Sequence, residues 1–358
     1  MRLSWSDPTV YSYRVTTAAT PERRFLPRLT SPQVNLLLAI SLTATLVTGV
    51  VSWTTSTEVA RVWTVLHTIF GFMTLLLAPA KQRTSVRAGW RRGKDTRWIS
   101  AMFGVFVIAG IVLGFLHSSG IWFGVGIDTP FYFHLVAGFS SIPLLIWHIK
   151  ARPVNVRRIS FDRRMLLRGG LTAGVASILV GVTEAGFEAA GTAGAERRFT
   201  GAHEVASGDP ARMPVVSWFN DPIVRIPRER WELTIDGQLQ DLDELCAMSR
   251  PVTASIDCTG GWFSEQSWDV IPMRDLLDSN ARSFRVVSET GYSFLYDMAD
   301  IDDLYLGVGY GGEPLRQGHG APVRLVAPNL RGAFWVKWVV SIEPSDRPAW
   351  AQFPFPLG

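Results

Sequence analysis

Cys258 is the residue of this sequence with the clearest capacity for redox chemistry. It ends an apolar, strand-like run, Ala254-Ser-Ile-Asp-Cys258, and Thr-Gly-Gly-Trp262 follows it. Five apolar stretches of membrane length precede the run, so we interpret the cysteine as a thiolate metal ligand in a domain outside a membrane. The alternative interpretation is a buried cysteine that only packs, because a free thiol behaves as a small hydrophobic group.

The cysteine count allows one other state for this thiol. Cys246 is the second of only two cysteines, and in an exported domain two cysteines could form a disulfide. A metal-bound thiolate cannot also be part of a disulfide, so we favour a free Cys258.

Histidines in the apolar stretches offer a second kind of metal ligand. His67 and His134 each begin a His-x-x-x-Gly-Phe pattern. Ionisable groups in membrane helices are costly and usually face a functional interior, and the glycine one turn further on leaves room for a flat macrocycle. The repeat predicts that the two imidazoles bind the iron of one b-type haem. The alternative is that they only form hydrogen bonds between helices.

Two further histidines lie in or at the edge of these stretches. His117, near the end of the third stretch, is the rival ligand for the same haem. His148 follows His134 by 14 residues, which corresponds to about 21 Å of helix rise and nearly the same face. The matching position on the second stretch is Lys81, so a second haem at His148 lacks an evident partner. A quinone site or a helix interface is the other role open to His148.

The composition indicates a membrane protein with a second domain. The chain has 358 residues, of which 47% are hydrophobic, and its mean hydropathy is +0.16. These values exclude one ordinary soluble domain. The stretches long enough to cross a hydrocarbon core are residues 33–53, 59–80, 98–118, 131–149 and 169–187.

The basic residues predict how these stretches are oriented. Lys and Arg are frequent before the first stretch and in the loops 81–97 and 150–168, whereas the loops 54–58 and 120–130 contain none. The positive-inside rule therefore predicts a multi-pass protein of the inner cell membrane with a cytoplasmic N-terminus and an extracytoplasmic C-terminal domain. The net charge of +4 predicts contact with anionic membrane lipid and not with nucleic acid.

The chain divides into five predicted segments. Residues 1–32 form a cytoplasmic tail, 33–150 a four-helix membrane domain, 151–187 a basic loop with a fifth span, 188–213 a linker and 214–358 an outer domain. The third segment contains Arg163-Arg-Met-Leu-Leu-Arg168 before an apolar run, which is typical of a twin-arginine export signal. The alternative is an ordinary anchor that follows the positive-inside rule.

Short runs of β-branched and aromatic residues dominate the outer domain. Each run is bounded by Gly, Pro, Asp or Asn, as strands are. The predicted fold class is therefore multi-domain, with an all-α membrane bundle of five spans and an extracytoplasmic mixed α+β domain that is mainly β.

Several motifs of the outer domain together resemble the sulfite-oxidase-like molybdopterin domain, and within that family the periplasmic methionine sulfoxide reductases. They are Ser217-Trp-Phe-Asn220, Trp231-Glu-Leu-Thr-Ile-Asp-Gly237, Asp257-Cys-Thr-Gly-Gly-Trp262, Gly318-His-Gly-Ala-Pro-Val-Arg324 and Trp335-Val-Lys337. The first four stretches of the membrane part resemble the membrane cytochromes b that carry haem and exchange electrons with quinones.

The resemblance implies a cofactor and the residues that hold it. Cys258 would bind the molybdenum of Mo-molybdopterin. The pterin and its phosphate would be held by Asn220, Thr290, His319, Arg324 and the Trp335 to Lys337 segment. A guanidinium and an ammonium suit a buried phosphate. From the residues alone, without the resemblance, His319 and Arg324 would be interpreted as ordinary surface groups beside a turn.

Departures from the sulfite oxidases bear on the substrate. Those enzymes follow the cysteine with arginines and carry a tyrosine before an Asn-Gly-Glu-Pro turn. Here Thr259 to Trp262 includes no basic residue, and Val308 stands near the tyrosine position. Trp262, Phe263 and Trp268 instead imply an apolar approach for a neutral small-molecule substrate.

Three functions follow from these observations. In the first, which we favour, a quinol or cytoplasmic donor reduces haem b, and electrons pass outward to molybdenum, which removes oxygen from a sulfoxide or similar oxide. In the second, molybdenum oxidises a small sulfur or carbonyl compound and the electrons reach quinone. In the third, a haem-binding membrane module carries a cofactor-free binding domain.

Overall fold

A computed structural model describes residues 30–91, 93, 97–151, 163–218 and 221–353. The predicted tail 1–32 falls almost wholly outside these residues. Within the described part, the N-terminal half is helical and the C-terminal half is built mainly of β-strands, as the composition predicts.

Five long helices form the N-terminal half. All five are long and apolar enough to cross a membrane by length and composition, and they coincide with the predicted stretches. Each extends past the apolar stretch by at least one residue, since hydropathy marks only the apolar part of a helix. The helices are α1 Ser31–Thr54, α2 Val59–Lys81, the short α3 Arg87–Arg91, α4 Arg97–Ser119, α5 Pro130–Ala151 and α6 Arg163–Ala189.

The helices pack as two antiparallel hairpins. Helix α1 packs against α2, α4 packs against α5, and α6 packs on α2. Large apolar side chains cover the outside of the bundle; Val62 is 56% exposed, Val105 65% and Ile178 66%. A protein surface of this kind is typical of an interaction with an apolar surrounding.

The C-terminal half contains two sheets. One has the order β1-β5-β8-β10, with β4 paired to β5 and β9 paired to β8; the other has the order β3-β2-β11-β6-β7. The strands are β1 His203–Glu204, β2 Leu233–Ile235, β3 Gln238–Gln240, β4 Arg250–Asp257, β5 Trp262–Pro272, β6 Ser283–Ser288, β7 Ser293–Asp297, β8 Tyr305–Tyr310, β9 Glu313–Pro314, β10 Arg324–Val326 and β11 Val339–Ser345. Two short helices complete the domain, α7 Leu242–Met248 and α8 Met273–Leu276.

A single hydrophobic core joins the two sheets. It includes Trp268 and Leu306 from the first sheet and Phe284 and Ile342 from the second, and none of these four side chains is exposed. Strand β5 alternates between buried and more exposed positions over most of its length, as expected for a strand with one face on a core. The mainly β, mixed α+β prediction is confirmed.

The predicted linker, residues 188–213, makes ordered contacts with both halves. Its strand β1 pairs in parallel with the first two residues of β5. The His203 ring nitrogen Nε2 donates to the carbonyl of His117 in α4, 2.7 Å away. Arg197 donates to the carbonyl of Ser118 and forms an ion pair with Glu184 at 2.8 Å. The connection between bundle and sheets is thus held by hydrogen bonds along its length.

Candidate functional site

Cys258 begins the tight turn between β4 and β5. Its amide donates to the carbonyl of Trp262 at 2.8 Å, and the amide of Gly261 donates to the carbonyl of Cys258 at 3.2 Å. Gly261 has a φ of +84°, which favours glycine. The Cys258 Sγ accepts a hydrogen bond from the amide of Gly260 at 3.3 Å. The turn therefore fixes the direction of a thiol that is 8% exposed.

A buried ion pair next to Cys258 stabilises this turn. The Asp257 carboxylate, which has no exposure, is 2.7 Å from the Arg331 guanidinium and 3.4 Å from that of Arg198. Thr200 donates its hydroxyl to the same carboxylate at 2.8 Å. Arg331 also donates to the carbonyl of Cys258 at 3.0 Å. We did not predict a role for Arg331; its only sequence signal is an isolated charge between apolar segments of a core-forming region.

Cys258 opens onto a cleft with an empty volume of about 360 Å³. Four of the predicted site residues line it together, namely Cys258, His319, Arg324 and Lys337. These residues come from positions up to 79 apart in the sequence. The structure thus brings together one thiol, one imidazole and two cationic groups.

The guanidinium of Arg324 is buried without an anionic partner. It lies 5.3 Å from the ring of Trp268 and 5.4 Å from that of Trp335. It donates to the carbonyls of His319 at 2.9 Å and Trp335 at 3.2 Å. Burial lowers the pKa of Arg324 to about 10, so the group is still charged at neutral pH.

The ammonium group of Lys337 also lacks an anionic partner among the described residues. Its Nζ donates to the carbonyls of Val216 and Gly318, each at 2.8 Å. Burial, together with the charge of Arg324, lowers the pKa of Lys337 to about 7. No carboxylate of the described residues lies within 4 Å of either cation. A buried charge is stable only when paired, so this end of the cleft is suited to an anion.

His319 offers the cleft an unused ring nitrogen. Its Nδ1 is 2.9 Å from the hydroxyl of Tyr310. Its Nε2 is buried and has no hydrogen-bond partner among the described residues. Burial and the nearby charge of Arg324 lower the pKa of His319 to about 4, so the ring is neutral. Tyr310, which we did not predict, sets the orientation of this imidazole.

The other predicted pterin ligands lie elsewhere. The ring of Trp335 packs beside Arg324, and its Nε1 donates to the carbonyl of Leu330 at 3.1 Å. Thr290 lies in the turn between β6 and β7, where its hydroxyl is 3.0 Å from that of Ser288. Neither residue is among those that line the cleft. Asn220 lies outside the described residues.

Both cysteines are free. Cys246 lies in helix α7 and is partly buried. The disulfide that the cysteine count would permit is therefore not formed in the structure.

The rings of His67 and His134 lie next to each other in the bundle. The Nδ1 of His67 donates to the carbonyl of Thr45 at 2.8 Å, and the Nδ1 of His134 donates to the carbonyl of Gly110 at 2.7 Å. A carbonyl only accepts, so each Nε2 is the nitrogen without a proton. The ring centroids are 5.7 Å apart with an angle of 85° between the planes.

Each of these imidazoles rests on a glycine of the preceding helix. A Cβ at Gly49 would lie 2.8 Å from the ring of His67, and one at Gly114 would lie 3.0 Å from the ring of His134. A Cβ at Gly71 or Gly138, the glycines of the repeated pattern, would meet nothing within 4 Å. In both hairpins, therefore, a glycine of the first helix makes room for the imidazole of the second. The glycines of the repeated pattern, Gly71 and Gly138, border open space instead.

The pair fits a shared metal. Neither Nε2 has a hydrogen-bond partner among the described residues. Two imidazoles that each bind one metal through a bond of about 2 Å place their ring centroids about 6 Å apart, close to the observed separation. The carbonyls at Nδ1 fix the tautomer and the ring direction, as outer partners of metal ligands do.

His117 and His148 have other neighbours. His117 is 7% exposed, and its Nε2 is 3.2 Å from the carbonyl of Gly201. The Nδ1 of His148 is 3.3 Å from the hydroxyl of Ser100, and its ring stacks on Phe103. Lys81 donates its ammonium group to the side chain of Asn35. His117 and His148 thus have protein partners that differ from those of His67 and His134.

The turn that carries Cys258 is in contact with three helices of the bundle. Trp53 of α1 donates its indole N–H to the carbonyl of Thr259 at 2.8 Å. A Cβ at Gly261 would lie 2.8 Å from the ring of His117 in α4 and 3.0 Å from that of Phe131 in α5. The absence of side chains at this part of the turn allows the close approach.

Comparison with known proteins identifies the class of the C-terminal domain. Residues 220–353 match the family model described as oxidoreductase molybdopterin binding domain. The mitochondrial sulfite oxidase of Drosophila melanogaster is 28% identical over 166 residues, which cover 35% of this chain and 29% of that protein. The sulfane dehydrogenase SoxCD of Paracoccus pantotrophus is 21% identical over 35% of this chain and 40% of the other, with a TM-score of 0.33. The chain thus spans less than half the length of both proteins.

The C-terminal half is a sulfite-oxidase-like molybdopterin-binding domain, and the predicted enzyme class, molybdenum-dependent oxidoreductase, is confirmed for it. The cleft fits such a cofactor on its own chemistry. Arg324, which is buried, and Lys337, which is partly buried, are two cations that lack an anion among the described residues, and a phosphate would supply one. The unpartnered Nε2 of His319 can bond a pterin edge, and the thiol of Cys258 is a soft ligand for molybdenum.

Proposed function

We propose that this chain is a membrane-bound molybdopterin oxidoreductase. The helical bundle holds haem b between His67 and His134, and the C-terminal domain, outside the cytoplasm, holds molybdenum at Cys258. A quinol or a cytoplasmic donor supplies electrons, and the domain reduces a sulfoxide or a similar oxide. The observation that carries the proposal is the packing of the turn Cys258 to Trp262 against α1, α4 and α5.

Residues of the C-terminal domain and residues of the helical bundle have separate roles in this proposal. When bound, molybdopterin supplies oxygen-atom transfer and haem b supplies one-electron transfer. The turn aims the thiol, Arg331 and Asp257 keep the turn in place, and Arg324 and Lys337 hold the anionic end of the pterin. Thr45 and Gly110 orient the two imidazoles through their carbonyls. The contact between Trp53 and Thr259 keeps the two sites in a fixed relation.

A neutral substrate suits the turn better than an anion. No Lys, Arg or His occurs between Thr259 and Trp268, so the turn itself contributes no cation for binding an anionic substrate. The two cleft cations, Arg324 and Lys337, are held by backbone carbonyls and serve the cofactor. Sulfite is the substrate that the name of the Drosophila relative indicates; here we propose a sulfoxide.

The test begins with the purified full-length protein. We expect one molybdenum and one haem per polypeptide by metal analysis and absorbance. Under anaerobic conditions, haem reduced by a quinol should be reoxidised by dimethyl sulfoxide or methionine sulfoxide. The Cys258→Ser variant should keep its haem spectrum and lose this reoxidation, whereas Cys246→Ser should behave as wild type.

Two results would contradict the proposal. Protein without molybdenum would favour a haem module with a cofactor-free binding domain. Haem that sulfite or an aldehyde reduces, and that sulfoxides leave reduced, would reverse the direction and favour a dehydrogenase that feeds quinone.

A further inference from the structure

Three polar groups converge beside Gly260. The position of a Cβ at Gly260 would lie 3.3 Å from the hydroxyl of Tyr132, 3.5 Å from the Sγ of Cys258 and 3.5 Å from the Nε1 of Trp262. Cys258 and Trp262 belong to the turn itself, whereas Tyr132 belongs to helix α5. A hydroxyl of the helical bundle therefore faces the same small space as the thiol.

Both donors at this space are unpaired. Trp262 is 3% exposed, and its Nε1 is buried without a hydrogen-bond partner among the described residues. An indole N–H can only donate, and an unpaired buried donor costs about 1–3 kcal/mol. The hydroxyl of Tyr132, a partly buried residue, forms no hydrogen bond within the described part of the chain. The two groups are thus available for an acceptor that the chain does not provide.

The position of Tyr132 relative to the thiol is fixed by its neighbours. Phe131, the preceding residue, contacts Gly261, and Trp53 binds the carbonyl of Thr259. These contacts hold the start of α5 against the turn. A hydrogen-bond donor that is already held in its binding position loses little conformational entropy when a ligand binds.

We propose that Tyr132 and Trp262 donate hydrogen bonds to the oxygen atom of the substrate beside Cys258, so that the helical bundle completes the substrate site. This inference rests on the proposed function and specifies what is recognised. The substrate is an apolar molecule with one strongly polarised oxide oxygen, as in a sulfoxide. Such an oxygen accepts two hydrogen bonds and brings no donor or charge of its own, which matches two neutral donors beside a turn that has no basic side chain.

The test compares Tyr132→Phe with a matched control in the full-length protein. Tyr305→Phe removes a hydroxyl from a half-buried tyrosine in β8. Calorimetry would measure binding of dimethyl sulfone, whose two sulfonyl oxygens accept hydrogen bonds but which is a poor oxygen donor, and of dimethyl sulfide, which has no oxygen. Tyr132→Phe should weaken sulfone binding about tenfold, the worth of one hydrogen bond, and should leave sulfide binding unchanged. Tyr305→Phe should change neither.

A second variant probes the space itself. Gly260→Ala places a methyl group among the three polar groups while keeping the amide that donates to Sγ. It should weaken sulfone binding as well and should raise KM for dimethyl sulfoxide more than it lowers kcat. Haem and molybdenum contents should equal those of wild type in every variant.

The outcomes separate this inference from the function on which it rests. Wild-type binding of the sulfone by both Tyr132→Phe and Gly260→Ala would overturn the inference, and so would a wild-type protein that binds no sulfone. A wild-type protein with both cofactors that binds the sulfone through Tyr132 but reduces no sulfoxide would instead overturn the proposed function.

Discussion

The carboxylate of Asp257 and the guanidinium of Arg331 form a buried ion pair directly behind Cys258, with 2.7 Å between Oδ1 and Nη1. Neither side chain is more than 2% exposed. Their pairing joins the end of β4 to the loop that precedes β11. The geometry of the thiol thus depends on a charge pair that no solvent screens.

Arg331→Met should destabilise the C-terminal domain by about 3–5 kcal/mol, because removing one partner leaves a buried charge uncompensated. The midpoint of denaturant unfolding, followed for this domain, would measure the loss. Arg274→Met is the matched control, since the Arg274–Asp302 pair is exposed on both sides; it should leave the midpoint unchanged. Equal midpoints for wild type and Arg331→Met would show that Arg198 alone satisfies Asp257.

Gly49→Ala should abolish haem binding. Its Cβ would lie 2.8 Å from the Nδ1 and Cε1 of His67, so the ring must leave the carbonyl of Thr45 and turn away from His134. The absorbance of haem per polypeptide measures the effect, and the molybdenum content should not change. Gly174→Ala in α6, where a Cβ meets nothing within 4 Å, should retain haem. Full haem content in Gly49→Ala would remove the argument that these glycines seat the imidazoles.

His67→Ala should lose haem and retain molybdenum, the reverse of Cys258→Ser. The Nε2 of His67 is one of the two ring nitrogens that have no hydrogen-bond partner among the described residues, on rings whose centroids are 5.7 Å apart. His148→Ala is the informative companion: it should keep the whole haem signal, because His148 lies beside Ser100 and Phe103. A haem content halved by His148→Ala would instead reveal a second haem.

Lys337 should make the stability of the cofactor-free protein depend on pH. The pKa of Lys337 falls from 10.5 to about 7 on folding, so between these values the unfolded chain holds a proton that the folded chain has lost. The free energy of unfolding therefore rises with pH across this window, by up to about 1.4 kcal/mol per pH unit. Below about pH 7 the cost of the buried charge is fully present.

Thermal unfolding of the cofactor-free protein at several pH values would measure this dependence. Lys337→Met should remove it, whereas Lys150→Met, at an exposed position in α5, should retain it. Bound cofactor should flatten the dependence, because a phosphate favours the protonated ammonium. A profile that Lys337→Met leaves unchanged would mean that another group titrates in this window.

The parts of the site that sequence reasoning found are those with a local signature. The five apolar stretches, the strand-like run that ends at Cys258 and the repeated histidine pattern are each visible in one continuous segment of sequence. His319, Arg324 and Lys337 came only from the family resemblance, and the structure brings all three to the cleft.

The parts that it missed depend on contacts between distant segments. Trp53 and Thr259 are 206 positions apart, and the sequence around neither residue indicates that the two are in contact. Arg331 and Tyr310 each form one hydrogen bond to a site residue, Cys258 and His319 respectively. These bonds matter because they are buried, and burial cannot be recognised from the sequence around either residue. The segment 188–213 looked like a linker because strand β1 has only two residues, too few for any alternation to show.

The matching hairpins of the bundle have an evolutionary consequence. In each, a backbone carbonyl and, four residues later, a glycine of the first helix receive one imidazole of the second: Thr45 and Gly49 for His67, Gly110 and Gly114 for His134. Each hairpin supplies one half of the haem site that we propose, so an ancestral peptide of two helices could have presented both imidazoles by pairing with its own copy. Duplication and fusion of that peptide would then have freed the two halves to diverge, one toward the turn at Trp53 and the other toward Tyr132.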